Sequence, residues 1–305
     1  MSRPFYCEHD RDSFFKYMPA DTAKIVLRNK TLRWSSPLEF NDPFDVPREL
    51  ALNIPDDEIN NALVEKVILT IENPPENTEG LEPSLVSLVK MFRTEKASKQ
   101  APMIAAVMRE IAQRGSSCSL EPVRTEWRNM IPQFRILCLS ERFDVCSMWC
   151  HYADKYTGVV LELLCHDELD SEWLRAKPVQ YPEDTPDIFY PSGWAKVLSS
   201  PVMPAVNELF ETCLYTKTPD WSYEKEWRVE SMMREHETGT VSDRGLHQKE
   251  FGRLFLGPHI DRKNRSDILE IIQDMPHIQV YDVEIGMARN FSFQEVRNRA
   301  GVVAD

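Results

Sequence analysis

Residues 221–232 read Trp221-Ser222-Tyr223-Glu224-Lys225-Glu226-Trp227-Arg228-Val229-Glu230-Ser231-Met232. Aromatic and β-branched residues alternate here with charged ones, which predicts one strand over the whole stretch. A period of two puts Glu224, Glu226, Arg228 and Glu230 on one face, and Tyr223, Lys225, Trp227 and Val229 on the other. On a solvated face such a ladder of carboxylates and guanidinium adds little stability. Lining a cleft, the same carboxylates are held on a rigid strand where burial and Arg228 tune their ionisation.

On the carboxyl side, Leu254 to Leu256 ends in the Gly257-Pro258 turn, Ser266 is placed to cap a helix through Ile272, and Ile278 to Ile285 alternates as a strand. On the amino side, Val206, Leu209, Phe210 and Cys213 mark a helix. Before it, Arg135 to Ser140 reads as a strand. Val145, Met148, Trp149 and Tyr152 then recur at helical spacing, and Gly158 closes that unit ahead of the strand Val159 to Leu164. At that spacing Trp149 and Tyr152 read first as core, while His151 falls off the stripe and is expected to be more exposed.

Nearer the start, Asp21 is the expected N-cap of a short helix around Ile25 and Val26, and Thr31 to Ser35 is a strand. The run NDPFD at 41–45 is a loop. Its Asn41, Asp42 and Asp45 either bond nearby backbone N–H groups or hold a ribose or a metal. From Pro55 to about Arg114 three amphipathic helices are expected, carried by Ile59, Leu63 and Val67, by Leu85, Leu88, Val89 and Phe92, and by Ile104, Val107, Met108 and Ile111. The sequence therefore predicts a single α+β domain over 1–305 with a mixed or antiparallel sheet core. Residues 48–130 form a helical insertion within it.

Composition narrows the function. The 305 residues carry a formal charge of −13, which argues against an extended nucleic-acid surface but leaves room for a local basic pocket. No stretch approaches the roughly 20 apolar residues of a membrane helix. Seven scattered cysteines without a C-x-x-C pair, behind an amino terminus with no apolar leader, point to the cytoplasm. Dinucleotide-fold, P-loop, zincin and α/β-hydrolase motifs are absent. Cys146, Cys150 and His151 with Cys138 could be drawn as zinc ligands, but cysteine is more often a small buried apolar residue, and no metal is expected. Ser140 with His151 lacks an orienting acid for nucleophilic catalysis.

The pieces Lys16-Tyr17, LRWSSP at 32–37, Phe40 to Asp45, Cys138-Leu139-Ser140-Glu141, Met148-Trp149-x-His151-Tyr152-Ala153-Asp154 with Gly158, Lys217, Trp221-x-Tyr223-Glu224-x-Glu226-x-Arg228 and Leu256-Gly257 occur in this order. In this order they resemble the bacterial domain-of-unknown-function 2971 family from about residue 14 to 285. The plan is more loosely similar to ADP-ribosyltransferase-like domains, in which a late strand carries Glu-x-Glu. That resemblance implies NAD as cofactor, with Glu226 as the catalytic carboxylate and Glu224 orienting or deprotonating the acceptor. Nicotinamide loss builds positive charge on the ribose, which a fixed anion stabilises most in the transition state.

By the same resemblance Lys16 or Tyr17 takes the cofactor-binding place of an opening His or Arg. Ser35 and Ser36 brace the pocket, Trp149 or Tyr152 stacks on nicotinamide, and Asn41, Asp42, Asp45, His151 and Arg228 line the cleft. The implied activity is ADP-ribosyl transfer or NAD hydrolysis by an effector of a bacterial toxin or phage-defence system. The alternative is a non-catalytic module of such a system, binding a nucleotide or a partner protein as trigger.

Overall fold

The computed structural model describes residues 3–94, 99–113 and 119–297; Cys118 and the expected helix end at Arg114 lie outside them. The chain divides into two compact units. The first comprises Met1–Phe40, Pro132–Tyr181 and Pro219–Asp305, and the second Asn41–Ile131 and Pro182–Thr218.

The first unit holds a ten-stranded mixed sheet. Its strands are β1 (Ser13–Met18), β2 (Thr31–Ser35), β3 (Phe134–Ser140), β4 (Val159–Leu164), β5 (Lys177–Pro178), β6 (Glu226–Met232), β7 (Val241–Gly245), β8 (Phe251–Leu256), β9 (Val280–Ile285) and β10 (Phe291–Arg297). They run in the order β10-β9-β8-β4-β1-β3-β2-β7, while β6 pairs with β3 and β5. The β8–β9 ladder is parallel, and the other ladders are antiparallel. The helix Arg262–Ile271 supplies the crossover that a parallel pair requires. The α+β class follows from this mixed sheet and its helices.

One cluster of the core joins Phe14, Leu27, Trp34, Leu137, Leu161, Val229, Leu254 and Ile268. A second joins Phe15, Tyr17, Trp149, Val160 and Phe255. The mostly apolar run of β4 is buried at Val159 to Leu163, as a central strand covered on both faces should be. Its one polar member, Glu162, is 5 % exposed and takes hydrogen bonds from Ser13 Oγ and from the Arg253 backbone and guanidinium. Buried charge is thereby paired and saturated.

Several sequence expectations change. The helix at Ala20–Asn29 begins after Pro19, with no side-chain cap, and Asp21 sits in its first turn paired to Lys24 at 2.7 Å. The helix at Arg262–Ile271 is capped by Asp261, which accepts from Asn264 N, so Ser266 is interior. The aspartate wins because its carboxylate lies one residue before the first helical turn, where backbone N–H groups lack partners.

The second unit is helical, with helices at Asp56–Glu72, Pro83–Phe92, Ala101–Gln113, Glu121–Met130, Pro191–Leu198 and Val202–Tyr215 among the described residues. The expected 48–130 segment lies inside it, with 182–218 added. The third expected helix buries Ala101 and Ala105, with Ile104 and Met108 packed beside them, whereas Val107 and Ile111 are half exposed. Small alanines allow close approach, so the contact stripe is narrower than the apolar pattern. The Glu121–Met130 helix was not expected; its buried Trp127 donates to the Pro47 carbonyl at 2.8 Å.

Candidate functional site

The chain does not run as a strand from Trp221. Residues Pro219–Glu224 form a 3-10 helix, and β6 begins at Glu226. Lys225, between them, adopts a left-handed conformation with φ of 47°. This residue breaks the period of two, so Glu224 is no longer on the strand face it was expected to share with Glu226 and Arg228. Its carbonyl is held by Glu141 N at 3.1 Å, which ties the turn to the end of β3. Beyond it the alternation resumes: Glu226 and Arg228 are buried, and Glu230, farther along the same face, is exposed.

Both glutamates are buried, at 2 % and 5 % exposure. Arg228 grips Glu226 through two parallel bonds, Nε to Oε1 at 2.8 Å and Nη2 to Oε2 at 3.0 Å. Such a fork fixes the carboxylate's plane as well as its charge. The Arg228 guanidinium lies 5.4 Å from the Phe40 ring centroid. Glu224 Oε1 accepts from the Tyr152 hydroxyl at 2.5 Å. The Glu224 carbonyl accepts from Ser140 Oγ at 2.7 Å.

Strand pairing explains this convergence. In the β3–β6 ladder Ser140 stands opposite Glu226, and Cys138 opposite Arg228. Lys16, on β1, donates from Nζ to the Cys138 carbonyl at 2.7 Å. Tyr181 accepts from Glu226 N at 3.0 Å through its hydroxyl. Burial, followed by the Glu226 carboxylate, pushes the Cys138 thiol up, so it is no nucleophile at neutral pH. Burial and the neighbouring Glu224 likewise raise the Tyr152 phenol, which keeps it a hydrogen-bond donor.

The structure thus brings together Lys16, Tyr152, Glu224, Glu226 and Arg228. Tyr17 faces elsewhere: its hydroxyl donates to the Arg142 carbonyl at 3.0 Å and accepts from Val145 N at 3.3 Å. Its ring meets Trp149 edge-on at 5.7 Å. Trp149 has no exposed surface, and its indole N–H donates to Phe143 O, so neither ring face is open to a ligand in this conformation. His151 is exposed. Ser35 lies on β2, paired with Ile136 and Val241, and Ser36 is fully buried.

In the second unit, Asn41 is exposed, Asp42 Oδ1 accepts from Phe44 N at 2.8 Å, and Asp45 pairs with Lys217 at 3.5 Å. Among the described residues no cluster of three or more His, Cys, Asp or Glu side chains could hold a metal. Ser140 and Tyr181 escaped the sequence reading in these roles. Ser140 was legible only through strand register, and Tyr181 lies in irregular chain with no periodic signal.

The segment preceding β4 also has unusual geometry. Asp154, Lys155 and Tyr156 are three successive left-handed residues, with φ of 46°, 52° and 70°. Lys155 N and Tyr156 N donate to the Cys150 and Trp149 carbonyls at 3.1 Å each, satisfying orphan groups at the end of the Cys146–His151 helix.

Residues 148–229 match the family model of a protein of unknown function, DUF2971. No curated protein and no solved structure matches the chain. The DUF2971 segment begins at the aromatic helix and ends one residue past Arg228. It therefore contains Tyr152, Tyr181, Glu224, Glu226 and Arg228, while Lys16 and Ser140 reach the same cluster from outside it.

Proposed function

We propose that this chain is an NAD-using ADP-ribosyltransferase-like effector, with Glu226 as the anion that stabilises positive charge developing on the ribose. The observation that carries this is the Arg228 fork on Glu226. A carboxylate held in one plane by a buried guanidinium stays ionised and oriented, which is what charge stabilisation in a transition state requires. Glu224, fixed by Tyr152, stands two residues away on a different backbone direction and is the group to orient or deprotonate an acceptor. Lys16 adds positive charge for a dinucleotide phosphate. A place in a bacterial toxin or phage-defence system belongs to the same proposal and rests on the resemblance alone.

A second reading has its own support. Arg228 engages both oxygens of Glu226, a closed pairing that suits a non-catalytic module whose polar cluster holds a nucleotide-binding or protein-binding surface in shape. Nicotinamide release from NAD separates the two. Glu226→Asp keeps the charge but withdraws the carboxylate by one methylene, and a displacement of about 1 Å can cost about 100-fold in rate. The enzyme proposal expects that loss in the purified protein, or relief of toxicity on expression, with the melting transition retained. Neither NAD turnover nor toxicity in the wild type would leave the binding module standing.

A further inference from the structure

Residues 3–12 run as a strap against the segment that follows β4. Arg3 Nη1 bonds Asp167 Oδ1 at 2.8 Å, while its Nη2 bonds Asp12 Oδ1 at 2.9 Å and the Arg11 carbonyl at 2.8 Å. The Tyr6 hydroxyl donates to Asp170, and the Arg175 guanidinium lies 4.3 Å from the Tyr6 ring centroid. Cys165 N donates to the Asp12 carbonyl at 2.8 Å. Arg11 Nη1 donates to Glu141 Oε2, and its Nη2 to the Glu141 carbonyl, at 3.1 Å each. All of these residues belong to the first unit.

His9 sits within the strap, its ring edge-on to Phe14 at 5.1 Å and to Trp227 at 5.5 Å. Its two nitrogens have fixed and opposite roles. Nε2 faces the Trp173 carbonyl at 3.0 Å, and Nδ1 faces Arg11 N at 3.2 Å. A carbonyl can only accept, so Nε2 carries the hydrogen; a backbone N–H can only donate, so Nδ1 is bare. A proton arriving at Nδ1 therefore meets a donor. It also adds a third positive charge beside Arg3 and Arg11, with Asp10 as the opposing charge. The carboxylates across the contact are already engaged, Asp167 by Arg3 and Glu141 by Arg11. The Cys7 thiol donates to the His9 carbonyl at 3.2 Å, and the Cys165 thiol, pushed up to about 12 by burial, is neutral. Burial, with the Arg3 and Arg11 guanidinium groups, holds the imidazole below its ordinary range against the opposing Trp173 carbonyl and Asp10.

We propose that His9 is an acid-operated latch: a solvent proton on Nδ1 displaces the Arg11 N–H and releases the strap 3–12 from the 164–175 segment. A ring that must be neutral in the closed form favours closure above the unfolded value of about 6.5, and that preference is lost as pH falls through the depressed folded value. Opening uncovers the side of Trp227 that His9 covers. It also withdraws Arg11 from Glu141, whose N–H holds the Lys225 carbonyl at the turn between the two glutamates. The latch does not depend on the NAD proposal.

The test is amide hydrogen exchange on the full chain, read as protection relative to the unstructured rate at each pH. The Arg11 amide, bonded to Nδ1, and the Cys165 amide, bonded to the Asp12 carbonyl, report on the strap. The amide of buried Leu254, bonded to the Gln279 carbonyl at 2.8 Å, is the control. From pH 7.5 to 5.5 both reporters are expected to lose about 3- to 10-fold in protection while the control holds, since each pH unit below the ordinary histidine value is worth up to about 10-fold. His9→Gln keeps a donor for the Trp173 carbonyl, and His9→Asn keeps an acceptor for Arg11 N. Neither titrates, so in both the fall should vanish. Ring 15N shifts at pH 7.5, with His9 assigned by its loss in His9→Gln, should show Nδ1 bare and Nε2 protonated.

Wild-type protection that does not change with pH would overturn the inference. So would a fall that persists in either variant, which would move the response to another group such as His166, beside Cys165, whose ring faces the Lys249 carbonyl at 2.9 Å. An Nδ1–H tautomer of His9 at pH 7.5 would overturn it as well. Glu226→Asp should leave the pH response intact, so the latch and the NAD proposal fail separately.

Discussion

At the scale of single residues, the decisive one is Lys225, an exposed side chain with no chemistry of its own. Its left-handed backbone separates the two glutamates, and an L-residue there is strained by about 1–2 kcal/mol relative to glycine. Lys225→Gly is therefore expected to raise stability by about 1 kcal/mol in urea denaturation, and Lys225→Val, with its branched Cβ, to lower it by at least as much. Equal stability of the two variants would remove the backbone explanation. Tyr152→Phe deprives buried Glu224 of a donor and is expected to cost about 1.5–3 kcal/mol. The raised phenol keeps that bond intact in the wild type past pH 10, the ordinary tyrosine range. A wild-type melting temperature that falls through pH 10 in step with tyrosine ionisation at this site would contradict it. Periodicity gave Glu226 and Arg228 correctly as face-sharing neighbours. It could not give Lys225, because lysine has no preference for positive φ that a sequence pattern would betray.

At the scale of elements, strands with a plain signal were legible: β2 with its alternation, and β4 with its short apolar run. Strands β1, β5, β7 and β10 were not among the expected elements. In β1 the run Phe14-Phe15-Lys16-Tyr17-Met18 is apolar on both faces, so no alternation marks it. In β7 the residues Val241 to Gly245 include one apolar side chain, so no alternation marks them, yet Arg244 is 5 % exposed, covering Trp34 at 4.7 Å. The turn into β4 was legible at Gly158 as an end signal but not as a packing requirement. A Cβ at Gly158 would collide with the carbonyls of Met18 and Ala153, and one at Gly257 with those of Tyr156 and Gly158. Backbone atoms cannot yield as a flexible side chain can, so Gly158→Ala and Gly257→Ala are each expected to lose about 1–3 kcal/mol. Gly245→Ala, where the nearest atom is the Lys30 carbonyl at 4.0 Å, serves as the control. Thermal melts that rank all three alike would refute the packing account.

At the scale of the whole molecule, acid sensitivity has an identifiable contributor. The Arg244 guanidinium, bonded to both oxygens of Glu237 at 3.0 Å, holds that carboxyl down to about 2. A carboxyl depressed on folding stabilises the protein above its unfolded value, about 4.3, and that contribution is lost as pH falls through about 2. The stability gap between wild type and Glu237→Gln should be full at pH 6, shrink below pH 4, and vanish near pH 2. A gap independent of pH over that interval would point to packing instead of charge.

The division into two units also has a consequence in time. The chain passes from one unit to the other four times, at 40/41, 131/132, 181/182 and 218/219. On a ribosome β1 and β2 emerge first, yet their neighbours β3, β4 and β7 follow after about 100 to 200 further residues, and β6, the full-length partner of β3, is also late. At about 5–20 residues per second, the amino-terminal strands wait for several seconds or longer with unpaired edges. Ladders closed over such separations form slowly, so the nascent chain is the state most exposed to chaperones and to aggregation, and recovery of native protein should depend more on synthesis rate than on final stability.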